Sequence, residues 1–363
     1  MTTPANNSSR ANFVVILKWL LAIGLMVGLL WMSRKTLADM KDRKILWGIF
    51  AAALVVRFLS MIATFSRWRF LVRGIGLPFS IRDAFRLGML GEACNLMGPG
   101  TVGGDLIKAA LLAKDHPQRI ASIMATVFLD RVLGMWALFV LGALASLSPA
   151  GTKPGPELQW AVWVLWGGAA AGLIGISLMF VPAFTHSRFM HWLTTWKFIG
   201  KIVKELMDSI QLYQGKPQIV IGAAALGLLG HFGFLTSFFF CAQSIHTGQV
   251  IPGYIDHIVG LPLPEAVSAV VPAPGGVGPL EAAIAWFYQQ HQRSLVPDSS
   301  PEQLATAWDN GVLTGMAYHM TMLVWGAVGI FYYFASRGEI RKAVDQTSND
   351  SPNLGTVGGS SQT

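Results

Sequence analysis

Six long apolar runs punctuate the chain, at about 13–33, 45–65, 120–148, 158–183, 218–246 and 304–335. Each can cross a hydrocarbon core of roughly 30 Å as an α-helix. Two further apolar regions, about 84–112 and 252–292, are interrupted. The first contains Gly98-Pro99-Gly100-Thr101-Val102-Gly103-Gly104-Asp105, and the second Pro272-Ala273-Pro274-Gly275-Gly276-Val277-Gly278-Pro279-Leu280-Glu281. Proline removes a backbone donor and glycine disfavours helix, so neither region is one continuous helix. Broken backbone at membrane depth persists only where protein or a wet cavity satisfies it. The pattern predicts an all-α polytopic membrane protein of about six spanning helices plus two re-entrant helical hairpins. A single integral-membrane domain fills 13–335, between polar tails at 1–12 and 346–363 that are expected to be disordered.

The two interruptions resemble each other. Pro99-Gly100-Thr101-Val102-Gly103 and Pro274-Gly275-Gly276-Val277-Gly278 share four of five residues, 175 positions apart. An acid follows each (Asp105, Glu281) and another precedes each (Glu92, Glu265). Paired broken helices in an inverted repeat mark transporters, whose substrate site lies at the repeat interface. Similar Pro-Gly turns also arise by chance.

Composition removes the soluble alternative: 53% of residues are hydrophobic and 13% charged, against about 25% charged in soluble domains. The net charge of +8 reads as cytoplasmic loops facing anionic headgroups, not as a nucleic-acid surface. Basic residues concentrate in 66–119, 184–217 and the C-terminal flank, whereas 149–157 holds only Lys153 and 247–303 only Arg293. The positive-inside rule then puts both termini in the cytoplasm, in a bacterial-type cytoplasmic membrane. The first run, 13–33, reads as a retained signal anchor. The basic loop 34–44 falls outside in this topology, against the rule. At 187–215 apolar residues from Trp192 to Tyr213 recur at helical spacing, with Lys197, Lys201, Lys204, Glu205 and Asp208 on other faces. Such an amphipathic helix lies in the cytoplasmic interface or braces the two halves. The spacings Gly24/Gly28, Gly168/Gly172 and Gly311/Gly315 suit tight helix packing.

Ten ionisable residues fall at membrane depth: Arg57, Glu92, Asp105, Lys108, Asp130, Arg131, Asp256, Glu265, Glu281 and Asp309. Each costs roughly 2.5–3.5 kcal/mol at a helix centre, so pairing or a wet cavity is required. One reading is a structural ion-pair network of Asp130, Arg131, Arg57, Asp105 and Glu281. The other makes Arg57, Lys108 and Arg131 ligands of a lipid phosphate, with Gly100, Gly103 and Gly104 offering backbone donors at a helix N-terminus. Asp105, Asp130, Glu265 and Glu281 would line the polar cavity or couple transport to protons or cations. Pro99, Pro274, Gly275, Gly276 and Gly278 would shape the hairpin tips. No cofactor is expected. Cys94 and Cys241 have no metal spacing and the histidines form no ligand set. His319 reads as a packed polar residue or a proton relay.

These motifs together carry a family resemblance. Asn95…Gly98-Pro99-Gly100-x-Val102-Gly103-Gly104-Asp105-x-x-Lys108, then Asp130-Arg131-x-x-Gly134, then Pro272-x-Pro274-Gly275-Gly276-Val277-Gly278-x-x-Glu281, over about 15–335, resembles the transmembrane family of lysylphosphatidylglycerol synthase. That family includes the flippase half of the multiple peptide resistance factor and stand-alone flippase-like proteins. The resemblance implies movement of an anionic, aminoacylated or polyprenyl-linked lipid between leaflets, with a separate lipid-modifying transferase as a partner. After Arg337 only a short polar stretch follows, so lysyl transfer by this chain is not expected. Tyr318-His319-Met320 stands where such proteins often carry Tyr-Arg. The expected function is a lipid flippase or transporter. The alternative is a glycosyltransferase-associated membrane protein acting on lipid-linked sugars.

Overall fold

A computed structural model describes residues 44–97, 103–153, 155–185, 213–246, 251–271, 273 and 276–349, with scattered positions between 187 and 211. The expected first span, nearly all of the loop 34–44, the tip residues Pro99, Gly100, Pro274 and Gly275, and most of the amphipathic stretch lie outside these. The described residues form helices without strands: α1 (Trp47–Gly74), α2 (Ile81–Met97), α3 (Gly103–Asp115), α4 (Ile120–Ala145), α5 (Pro156–Met179), α6 (Pro217–Ile245), α7 (Tyr254–Gly260), α8 (Pro262–Val270), α9 (Pro279–Leu295) and α10 (Pro301–Asn349). Five are long and apolar enough to span a membrane: α1, α4 with the preceding turn, α5, α6 and α10 over Pro301–Tyr332.

Proline sets several starts. Pro156, Pro217, Pro262, Pro279 and Pro301 each open a helix, where the missing N–H has no intrahelical acceptor to lose. In the interrupted regions α2 ends at Met97 and α3 opens at Gly103, and α8 ends at Val270 and α9 opens at Pro279, on either side of the Pro-Gly runs. α10 runs to Asn349, past the predicted start of the polar tail at 346.

One boundary differs from the hydropathy reading. The second apolar run appeared to end near residue 65, with Arg67, Arg69 and Arg73 in a cytoplasmic loop. Instead α1 continues unbroken to Gly74, and Arg67 is only 4% exposed. A charge lowers hydropathy without disturbing backbone hydrogen bonds. With a partner for its guanidinium, the helix simply goes on.

Hydrogen bonds between connections define two ends. At one end the Leu46 amide donates to Ser244 O (2.8 Å), Thr152 N to Asp256 Oδ1 (2.7 Å) and Gly155 N to Ser294 Oγ (3.0 Å). At the other, Lys216 Nζ donates to Gly74 O (2.8 Å) and Arg119 Nη1 to Ile75 O (3.5 Å). The second end holds Arg73, Arg82, Arg86, Lys114 and Arg119. The α2–α3 pair is joined to the chain at this basic end, and α7–α9 at the opposite end.

α1 and α6 pack along each other as the central pair, while α10 lies against α2 and α9, and α4 against α5, α6 and α7. Gly168 and Gly172 of α5 admit the Phe139 and Trp136 rings of α4, and Gly311 and Gly315 of α10 admit α9, as their spacing predicts. Two apolar clusters occupy the ends of the bundle. One gathers Trp68, Leu71, Ile123, Leu133 and Val220; the other gathers Ala53, Leu138, Phe238, Leu280 and Tyr318. Outward, Trp163 (70% exposed) and Phe331 (77%) present bare apolar surface, which suits lipid. Tyr213, from the predicted amphipathic stretch, is instead buried and donates to Leu71 O at 2.7 Å.

Candidate functional site

Between the two apolar clusters lies a cavity of about 210 Å³. Its charged walls come from five helices. α1 gives Arg57 and Arg67, α2 gives Glu92, α3 gives Asp105 and Lys108, α4 gives Asp130 and Arg131, and α8 gives Glu265. Asn95 of α2, His231 and Phe234 of α6, and Tyr318 of α10 complete the polar and aromatic lining. Both broken segments therefore reach the same space.

Five of these charges form one chain of ion pairs. Arg67 donates from Nε and Nη2 to the two carboxylate oxygens of Asp130, at 2.7 and 3.1 Å. Lys108 Nζ lies 2.7 Å from Asp105 Oδ1 and 4.0 Å from Asp130 Oδ2. Arg131 pairs with the other oxygen of Asp105. The Lys108 ammonium also sits over the Trp68 ring, 4.7 Å from its centroid. An order of Arg131–Asp105–Lys108–Asp130–Arg67 alternates sign and lets each carboxylate offset two cations. The network reading is thus realised with a changed membership: Arg67 and Lys108 belong to it, and Arg57 and Glu281 do not.

Arg57 stands apart. It is 3% exposed, and its Nε and Nη1 have no hydrogen-bond partner among the described residues. Its guanidinium lies between two rings, 4.8 Å from the Tyr318 centroid and 5.2 Å from that of Phe234. Cation–π contacts of this kind stabilise a desolvated cation but give its Nε and Nη1 donors no acceptor. Such donors are costly to bury unsatisfied. Among the described residues they are the strongest chemical sign of a ligand.

Other expected site residues take different places. The Gly104 amide donates to Asn95 Oδ1 at 2.8 Å. A Cβ on Gly104 would fall 1.8 Å from the Gly91 carbonyl oxygen, so Gly104 lets α2 and α3 touch backbone to backbone, and its N–H is already spent. Gly103 opens α3 beside it. Glu281 does not line the cavity. Its Oε2 accepts from the Gly278 amide at 2.7 Å, and its Oε1 pairs with His319 Nδ1 at 2.5 Å. Gly276 and Gly278 have φ of +74° and +94°, a region open to glycine and strained for other residues. Glu281 therefore caps α9 and ties it to α10 through His319.

Sequence reasoning missed Arg67, Thr64, His231 and Asn95 as lining residues. Asn95 stood in the quoted motif and could have been found from it. Arg67 could not, because its partner Asp130 is 63 residues away and its apparent loop position concealed it. A further buried chain escaped notice. His257 Nε2 lies 2.8 Å from Tyr288 Oη, which is 3.1 Å from Thr314 Oγ1, itself 2.9 Å from His246 Nε2. It stitches α7, α9 and α10 to the end of α6.

No curated protein and no solved structure matches this chain. Residues 15–290 match the family model described as the lysylphosphatidylglycerol synthase TM region. The match spans the five-member ion-pair network, Arg57 and the first broken segment, and stops within α9 of the second. The chain, an all-helical integral membrane protein, belongs to the lysylphosphatidylglycerol synthase transmembrane family.

Proposed function

We propose that the protein moves a phospholipid or polyprenyl-linked lipid between membrane leaflets, carrying an anionic or aminoacylated headgroup through the central cavity. The observation that carries this reading is Arg57: a buried guanidinium with two unpartnered nitrogens, facing a cavity that both broken segments line. A headgroup phosphate or similar oxyanion would accept from those donors, a charge-assisted contact stronger than a neutral hydrogen bond. Glu92 and Glu265, one from each broken segment, line the same cavity, and carboxylates there would meet an amino group on the headgroup. Acyl chains would remain in the bilayer, against the exposed apolar faces.

In this reading α2–α3 and α7–α9 are re-entrant hairpins of an inverted repeat. Their attachment at opposite ends of the bundle and their convergence on one cavity support it. Alternating access would then come from one hairpin loosening while the other stays closed. Lys108 and Arg131, already paired with Asp105, hold the first hairpin against α4. Glu281 sets the tip of the second through Gly278 and His319. The basic end faces the cytoplasm, with both termini inside, and a separate transferase supplies or consumes the lipid.

The test is inter-leaflet movement of headgroup-labelled lipids in liposomes holding the purified chain. Arg57→Gln, with folding checked by size exclusion, is expected to slow movement of one lipid class about tenfold or more, the loss of charge-assisted hydrogen bonds worth about 1.5–3 kcal/mol. Wild-type rates in that variant, or no movement of any lipid by the wild type, would overturn the reading.

A further inference from the structure

Ten residues beyond Arg57 on the same helix, a second group of donors opens into the cavity. Arg67 commits Nε and Nη2 to Asp130, but its Nη1 is buried without a hydrogen-bond partner among the described residues. Thr64 Oγ1, one turn away on α1, is likewise buried and unpartnered. His231 of α6 approaches the same point. A Cβ on Gly134 would lie 3.0 Å from His231 Nε2 and 3.1 Å from Arg67 Nη1, and one on Gly230 would lie 3.1 Å from Thr64 Oγ1. Thr64, Arg67, Gly134 and His231 all line the cavity, and a side chain at Gly134 would crowd the Arg67 and His231 nitrogens.

The unspent donors there call for an acceptor. Asp130 takes Nε and Nη2 of Arg67 and leaves Nη1 buried without one, and a buried donor left unsatisfied is costly until an acceptor joins it. The free groups suit the same ligand. A guanidinium N–H only donates, a hydroxyl can donate, and a neutral imidazole donates from one nitrogen.

We propose that Arg67, Thr64 and His231 form a second oxyanion-binding site in the cavity, about 15 Å from Arg57 at 1.5 Å per helical residue. It lies toward the basic end of the bundle. Its anion is a phosphate, carried on a lipid headgroup or free in solution. The assignment rests on the transport reading only in making this site a second station for the headgroup, between Arg57 and the basic end. Gly134 would be the residue that keeps the station open.

Calorimetric titration of the full chain in detergent tests this with two probes, inorganic phosphate and short-chain dihexanoyl phosphatidylglycerol. The wild type is expected to take up two equivalents of at least one probe. Gly134→Ala crowds the Arg67 and His231 nitrogens and Thr64→Val removes one donor with little change of shape. Each should weaken one equivalent about 10- to 100-fold, the range that one hydrogen bond to a charged group represents. Arg57→Gln should weaken the other. Binding of phosphate but not lipid would keep the site and assign it to a free anion. Wild-type affinity and stoichiometry in both Gly134→Ala and Thr64→Val would overturn it, as would a single equivalent abolished by Arg57→Gln or no binding of either probe. The liposome assay fails or succeeds independently of these results.

Discussion

Removing Asp130 should cost far more than removing its partner Arg67. Both side chains are nearly inaccessible, at 3% and 4% exposure. Among the described residues Asp130 is the only carboxylate bonded to Arg67, through contacts of 2.7 and 3.1 Å. Asp130→Ala therefore strands a buried guanidinium, and it also removes the second carboxylate near Lys108, at 4.0 Å. Breaking a buried pair from one side typically costs about 3–5 kcal/mol, because the remaining charge is uncompensated. Arg67→Met leaves Asp130 with Lys108 still nearby, so its cost should fall about 1–2 kcal/mol below that of Asp130→Ala. The double variant Arg67→Met with Asp130→Leu removes both charges and refills the volume. It should regain most of the loss, since apolar replacement of buried ion pairs is often neutral or stabilising. The assay is SDS-driven unfolding in mixed micelles, followed by tryptophan fluorescence, with the wild type and the three variants compared side by side. The reasoning fails if Asp130→Ala unfolds within about 1 kcal/mol of the wild type, or if the double variant is no more stable than Asp130→Ala.

Gly104→Ala should destabilise severely, by several kcal/mol, because its Cβ would lie 1.8 Å from the Gly91 carbonyl oxygen. Gly167→Ala, with nothing within 4 Å of the added carbon, should be neutral or stabilise by up to about 1 kcal/mol; thermal unfolding of the pair side by side checks both. Tyr213→Phe should cost about 1 kcal/mol by losing its bond to Leu71 O, read in the same melts. In a background without Cys94 and Cys241, Lys114→Cys and Lys153→Cys should react with an impermeant thiol reagent from opposite faces of the membrane, the first from the cytoplasm. Labelling of both from one face would refute the assigned ends.

Much of the architecture was legible before any coordinates. Apolar runs fixed four of the described spans closely, because a hydrocarbon core sets a length that composition must match. The helix ends at Met97 and Val270 and the starts at Gly103 and Pro279 flank the two Pro-Gly runs, since proline and glycine act through their own backbone. Glycine spacings in α5 and α10 foretold where α4 and α9 would approach. The boundary of α1 was not legible, because Arg67, Arg69 and Arg73 look like a loop to any measure that averages hydropathy.

The candidate site divides along the same line. Sequence alone identified the charges that needed explaining: Arg57, Asp105, Lys108, Asp130, Arg131 and Glu265 all line the cavity, because a charge in an apolar run is unusual wherever the chain goes. It could not say which of them were already satisfied. Lys108 and Arg131, read as phosphate ligands, pair with Asp105, whereas two nitrogens of Arg57 and one of Arg67 have no hydrogen-bond partner among the described residues. Glu281 looked like a cavity carboxylate and proved to be a helix cap tied to His319. Pairing of charges depends on approaches between helices dozens of residues apart, over distances of 3–4 Å that no local pattern encodes. Which charges this protein would carry into the bilayer was therefore written in its sequence. Which of them are left to bind something else was decided only when the helices packed.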